Sequence, residues 1–325
     1  MSRLGAWLFR LSFQLQWVDY ALLIPLCASL PRALGLALSN IRGRFNLALK
    51  RDWIELSVGF PYIAERARAG YAEMFPRASA SELDRLVLGR YLTIAREETE
   101  AQQAIIGRLD PHGLQSALVA SALAQRSPGR GLVVVVPHID NLFLTCVALA
   151  THMPALHLVT SSVVDAPAIH VALRRFYRKK YAAYEGLMNG GQFRHTSGAA
   201  KEFFYNALAR GEAVAILTDA PAPRESIGCW VPWFGRMRKV PDGALKMATE
   251  TGSQMVGVSS TWADCGGLNW SCTSVLDPGA IFSCEDGAQA ITVYREIFGF
   301  LEGCVRANPA GWWAAHLMGD FMTKD

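Results

Sequence analysis

The pattern of apolar and polar positions divides the chain into three stretches. Residues 1–40 are apolar almost throughout, interrupted by Arg10, Asp19 and Arg32. Residues 41–125 carry helical periodicity in NLALKRDWIEL, YIAERARAGYAEMF and ASELDRLVLGRYLTIAREETEAQQAI, the last with Ser81 as its expected start and Glu82 and Asp84 in the first turn. From residue 126 to the C-terminus, short apolar runs alternate with amphipathic ones. Strands are predicted at 131–136, 155–160, 213–218, 254–260 and near 270–276, and helices at 141–151, 167–182, 198–210, 241–251 and 288–307. That alternation predicts an α/β fold, a mostly parallel sheet covered by helices, with the tail PAGWWAAHLMGDFM packing back.

The stretch that organises the rest is GLVVVVPHIDNLFL, Gly131 to Leu144. Val133 to Val136 predict a strand buried on both faces, because β-branched side chains suit a covered pleated surface. Pro137 stops the ladder, His138 follows in the turn, and Asp140 and Asn141 are both good N-caps for the apolar helix beyond. An imidazole, a carboxylate and a helix start are thereby brought to the C-terminal edge of a parallel sheet, where open α/β folds bind ligands.

Composition changes this picture in one respect. Hydrophobic residues make up 51% and charged residues only 18%, which points to membrane contact. The longest uncharged run within residues 1–40, Tyr20 to Pro31, is shorter than the roughly 18–20 residues that span hydrocarbon and contains Pro25, so this stretch predicts monotopic or re-entrant helices. Trp7, Trp17 and Tyr20 would then sit at headgroup level, with Arg3 and Arg10 facing anionic lipid; the alternative is a hydrophobic helix folded on the protein's own core. A net charge of +4 is too mild to argue for nucleic acid. Seven cysteines without a CxxC pair fit free thiols in a reducing cytoplasm. No zinc-type spacing, GxGxxG or GxxxxGK occurs, so no metal or nucleotide cofactor is expected.

His138 is the leading candidate for chemistry, as a general base towards a hydroxyl with Asp140 as the nearest acid to hold its tautomer. The plainer reading makes Asp140 a cap and His138 a loop residue. Arg174, Arg175, Arg178, Lys179 and Lys180 put five cations into seven residues, for an acceptor's phosphate, an acidic carrier protein or lipid headgroups, or as a solvated face. Arg236, Arg238 and Lys239 form a second basic group. Asp219 ends a strand, either to orient a substrate hydroxyl or to bond its own loop; Trp230, Trp233 and Phe234 are either an acyl-chain wall or core. His316 and Asp320 spell HxxxD and are read as packing or surface.

Several of these segments together resemble the lipid A late acyltransferases, the lauroyl and myristoyl transferases of Gram-negative inner membranes within the lysophospholipid acyltransferase fold. GLVVVV followed by His138 and Asn141 is similar to that family's strand and HFGNWE element. LTDAPAPRESIGCWVPWFGRMRKVPDGALKMATETGSQMVGVSS, residues 217–260, is similar to its LPDQ, VPFFG and TGAPVVPV blocks. ANPAGWWAAH and Asn46 to Leu49 are weaker matches, to HPEQWLWMH and NLRLAFP. The resemblance implies a membrane-associated acyltransferase on the cytoplasmic side of the inner membrane. It would move a fatty acyl group from an acyl carrier protein or CoA thioester to a hydroxyl or amine of a lipid or glycolipid, with His138 as the base. Asn141, Arg174, Arg175, Arg178, Asp219, Trp233, Phe234, Gly235 and Arg238 are its expected substrate-binding residues. The family's acid stands five residues after its histidine, and Phe143 occupies that position here. Either Asp140 takes the role, or an acid from elsewhere does, or the chain is a non-catalytic binder of acyl chains or carrier protein. An acyltransferase of secondary metabolism is a further alternative.

Overall fold

A computed structural model of the chain describes residues 13–52, 62–110, 112–114, 116–161, 165–195, 199–263, 267–279 and 284–324. The chain divides into two compact units, one of Met1–Leu109 with Ser161–Tyr184 and one of Asp110–Thr160 with Glu185–Asp325. The basic segment 171–184, which the sequence pattern groups with the α/β region, therefore belongs to the helical unit.

In the first unit a helical turn at Gln16–Val18 and a π-helical turn at Asp19–Leu23 lead into α1 (Ile24–Ser29), followed by α2 (Arg32–Ala48), α3 (Ile63–Met74) and α4 (Ala80–Ile105). The last is the axis against which α1, α2 and α3 pack. Its cap is Ser79 rather than Ser81: the Ser79 side chain accepts from the Glu82 N–H while Glu82 accepts from the Ser79 N–H, a reciprocal capping box. The helix expected over NLALKRDWIEL instead contributes its first residues to the end of α2, and residues 53–61 lie outside the described residues, as do Arg3, Trp7 and Arg10. Among the described residues no helix is long and apolar enough to cross a membrane.

The second unit is α/β. Its strands are β1 (Leu132–Val135), β2 (Leu156–Thr160), β3 (Phe193–His195), β4 (Ala213–Ile216), β5 (Cys229–Trp233), β6 (Arg236–Val240), β7 (Gln254–Trp262), β8 (Leu268–Cys272) and β9 (Thr323–Lys324). Six of them form one sheet in the order β3-β2-β4-β1-β7-β8, parallel except for the last pair. The helices are α5 (Ala117–Leu123), α6 (Leu142–Ala150), α8 (Ala200–Ala209), α9 (Gly243–Thr251) and α10 (Cys284–Ala307), with α7 (Val171–Gly186) crossing between the units. Leu132 to Val136 are at most 1% exposed, as a strand covered on both faces requires. Gly131 precedes them because an added Cβ would stand 2.5 Å from the Leu208 carbonyl oxygen.

The topology singles out one place. The connection from β1 to β2 runs one way along the sheet and that from β4 to β7 the other, so right-handed crossovers put α6 and α9 on opposite faces. Accordingly, α6 packs on β2 and β7, while α8 and α9 pack on each other over β4 and β1. Strands β1 and β4 are neighbours, so their C-terminal ends form the switch point at which open α/β sheets bind ligands.

Strands β5 and β6 form an antiparallel hairpin outside the main sheet, with β9 on its edge. Its two-residue loop is Phe234-Gly235, with φ of 50° and 74°, the positive pair that a type I′ turn demands. Neither this hairpin nor β3 was expected from the hydrophobic pattern.

Candidate active site

The switch point holds His138 and Asp219. Val135 and Ile216 are in register as the last residues of β1 and β4, and each strand runs three residues further to its chemical group. Equal offsets from a parallel pairing set the two side chains against each other. The His138 Nδ1 lies 2.7 Å from one Asp219 oxygen, and the His138 backbone N–H donates to the other, also at 2.7 Å. Asp219 is fully buried, whereas the His138 side chain keeps 30% of its surface exposed.

A third donor completes the carboxylate's partners. Trp312 Nε1–H donates to the second Asp219 oxygen at 2.7 Å. Trp312 is itself fully buried, against Trp233 (6.2 Å between rings) and stacked on Phe234 (6.4 Å, 27°). The tail also holds the histidine turn from its other side: Trp313 N–H donates to the His138 carbonyl at 2.8 Å and Asp140 N–H to the Gly311 carbonyl at 3.0 Å.

This environment fixes the charge of the carboxyl. Burial alone would raise the Asp219 carboxyl, but the His138 charge, its ring and backbone hydrogen bonds and the Trp312 N–H outweigh it and hold the group below the usual carboxylate value. An ionised carboxylate only accepts, so the His138 Nδ1 that faces it carries a proton, and Nε2 is the ring nitrogen without an Asp219 contact. A histidine held by a carboxylate in this way is a candidate general base.

Asp140 does not hold the ring. Its Oδ2 accepts from Trp262 N–H at 3.3 Å and Asn308 Nδ2–H at 3.1 Å, which ties the turn after His138 to the end of β7 and to the tail. The residue sits at φ 48°, a left-handed conformation that Asp tolerates better than most. Asn141 is the cap of α6, accepting from Leu144 N–H at 3.3 Å. Phe143 is buried in the first turn of α6, its ring 5.8 Å from that of Phe193. An acid there would be taken out of water.

The other expected binding residues are distributed differently. Trp233 is fully buried between Phe298, Phe234 and Trp312, so it supports the Trp312–Asp219 bond instead of walling an open channel. Phe234 is 7% exposed, its N–H donating to Glu302, and Gly235 serves the hairpin turn. Arg238 is 1% exposed and donates to the carbonyls of Trp233 and Met318, a structural position and not a ligand-facing one. Arg174, Arg175 and Arg178 belong to the first unit. His316 is buried, with Nδ1 3.1 Å from the Trp313 carbonyl.

An apolar cleft of about 270 Å³ opens at the same sheet edge as the pair. Val159 and Ile216, from the ends of β2 and β4, form its floor, Phe204 and Met247 its walls, and Lys201 and Lys246 stand among its lining. Among the described residues, no group of three or more His, Cys, Asp or Glu is placed to hold a metal ion.

Asp219 was in view from the sequence as a strand-end acid, but its partnership with His138 was not. Trp312 was missed altogether; the only signal was the paired tryptophan in GWW within a tail expected to pack back. No protein-family model matches the chain, and a search of curated proteins returns no match.

Proposed function

We propose that the chain is a membrane-associated acyltransferase, a divergent relative of the lipid A late acyltransferases, in which Asp219 supplies the acid that their helix carries at the position of Phe143. The observation that carries this reading is the buried Asp219 held in register against His138 Nδ1, with part of the His138 side chain left exposed. In the proposed step Nε2 takes the proton of an acceptor hydroxyl or amine as that group attacks the thioester carbonyl. The carbonyl electrons move onto oxygen, near the backbone N–H donors at the start of α6. Collapse of the tetrahedral intermediate expels the thiolate, which takes the proton back from the imidazolium, and the ester or amide leaves with a free thiol.

The apolar cleft beside β2 and β4 is suited to the acyl chain, because hydrocarbon there meets Val159, Phe204, Ile216 and Met247. The donor is a carrier-protein or CoA thioester and the acceptor a lipid or glycolipid at the cytoplasmic side of the inner membrane. Exposed Trp17, Leu22, Leu23, Leu26, Leu34, Ile41 and Phe45 in the first unit support peripheral or monotopic attachment, as large apolar side chains kept at a surface mark an interaction face.

The test is incubation of the purified chain with labelled acyl carrier protein thioesters and a membrane lipid extract. Acylated lipid and free carrier thiol should form in equal amounts. Stable carrier binding with no released thiol would instead establish a non-catalytic binder.

A further inference from the structure

The five cations of the 174–180 segment are not one surface. Arg174 donates to the carbonyls of Ala166 and Ile169 at 2.9 and 3.4 Å, and Arg178 to Asp165 at 2.8 Å. Lys180 is fully buried, ion-paired with Glu97 and 4.8 Å above the Tyr177 ring. The first unit thus uses three of the five itself. Arg175 and Lys179 are exposed and make no hydrogen bond or ion pair with the described residues.

Those two stand one turn apart on α7 and line a cleft of about 390 Å³ within the same unit. Gln102 apart, its other walls are mostly apolar, among them Trp17, Tyr20, Pro25, Val171 and Phe176. Trp17 is 52% and Val171 69% exposed, a costly presentation to water if nothing covers them. The volume falls within the roughly 300–1,000 Å³ of small-molecule sites.

We propose that this cleft binds a single anionic phospholipid molecule, its phosphate on Arg175 and Lys179 and the start of its hydrocarbon along Trp17, Pro25 and Phe176. Guanidinium and ammonium together satisfy a phosphate, the first as a fork and the second as a point charge. Free phosphate would leave the aromatic wall wet, a lipid without phosphate would leave both cations without a partner, and a zwitterionic headgroup would bring its own cation beside them. The concave shape fits one molecule better than the broad acidic surface of a carrier protein. The site does not depend on the reaction proposed for His138, and the two fail separately.

The experiment titrates the full chain with short-chain phosphatidic acid below its micelle concentration. Parallel titrations use inorganic phosphate and short-chain phosphatidylcholine. Affinities are compared for wild type, Arg175→Gln/Lys179→Gln and His138→Ala, and tryptophan quenching for wild type and Trp17→Phe. Both altered cations are exposed and unpaired among the described residues, so the fold is retained. Phosphatidic acid should bind wild type and His138→Ala alike and the double variant about 10- to 100-fold more weakly, the worth of one charged hydrogen bond. A brominated chain should quench tryptophan emission in wild type and much less in Trp17→Phe. Equal affinity in the double variant, phosphatidylcholine binding as tight as phosphatidic acid, full competition by equimolar inorganic phosphate, or quenching unchanged in Trp17→Phe would each overturn the proposal.

Discussion

Asp219→Asn is the substitution whose consequences follow most completely from the geometry. The carboxylate faces three donors: His138 Nδ1–H on one oxygen, and the His138 and Trp312 N–H groups on the other. Asparagine has one oxygen. If its amide nitrogen took the place of the oxygen that serves two N–H groups, two buried donors would face a third, at about 1–3 kcal/mol for each group left unsatisfied. The amide therefore turns its nitrogen towards the imidazole, and the ring responds by accepting at Nδ1 and carrying its proton on Nε2. The fold is kept at a cost of about 1–3 kcal/mol from the lost charged bond. The proposed base is lost, because a protonated Nε2 cannot receive the acceptor's proton. Thiol release from an acyl carrier protein thioester should fall roughly 100- to 10,000-fold, the span of general-base catalysis. Nitrogen-15 correlation spectra of the labelled ring should show the proton on Nδ1 in wild type and on Nε2 in the variant. An unchanged tautomer with wild-type turnover would refute the reasoning; so would lost turnover with Nδ1 still protonated.

Four further outcomes follow from the same geometry. The Asp219 carboxyl is held below its ordinary value of 3.8, so its contribution to stability is present above that value and lost as pH falls through the lower folded-state value; denaturant titrations of wild type and Asp219→Asn should differ near neutral pH and converge in acid. Asp140→Asn should lower the melting temperature by weakening the ties to Trp262 and Asn308, yet leave the pH profile of turnover unchanged. Phe143→Glu should not raise activity and should destabilise the chain by several kcal/mol in thermal unfolding, since it places a charge in the buried contact with Phe193. Lys180→Met, by stranding buried Glu97, should cost about 3–5 kcal/mol in chemical denaturation, whereas Arg175→Gln should cost less than about 0.5.

The main sheet was legible because its strands are runs such as Leu132 to Val135 and Ala213 to Ile216, whose composition suits nothing but a covered strand. Strand β3 was not, because FRH is three residues long and at the edge. The β5–β6 hairpin escaped because CWVPW contains a proline, and its turn uses Phe234 at positive φ where glycine or asparagine is usual. His138 was legible as the polar residue after a buried strand. Its acid was sought in the next helix, by local spacing, and found 81 residues away. Nothing in the sequence states that β1 and β4 are neighbours; once they are, the equal three-residue offsets follow. Trp312 was hidden for a related reason, as an indole that supports a carboxylate looks in sequence like any core tryptophan.

The rate of acyl transfer by His138→Ala tests most directly whether His138 removes the acceptor's proton, as proposed. Wild type and variant would be supplied with the same carrier-protein thioester and lipid extract, with circular dichroism establishing that both are folded. A loss of about 100-fold or more with carrier binding retained is the predicted result. Transfer at the wild-type rate would contradict it.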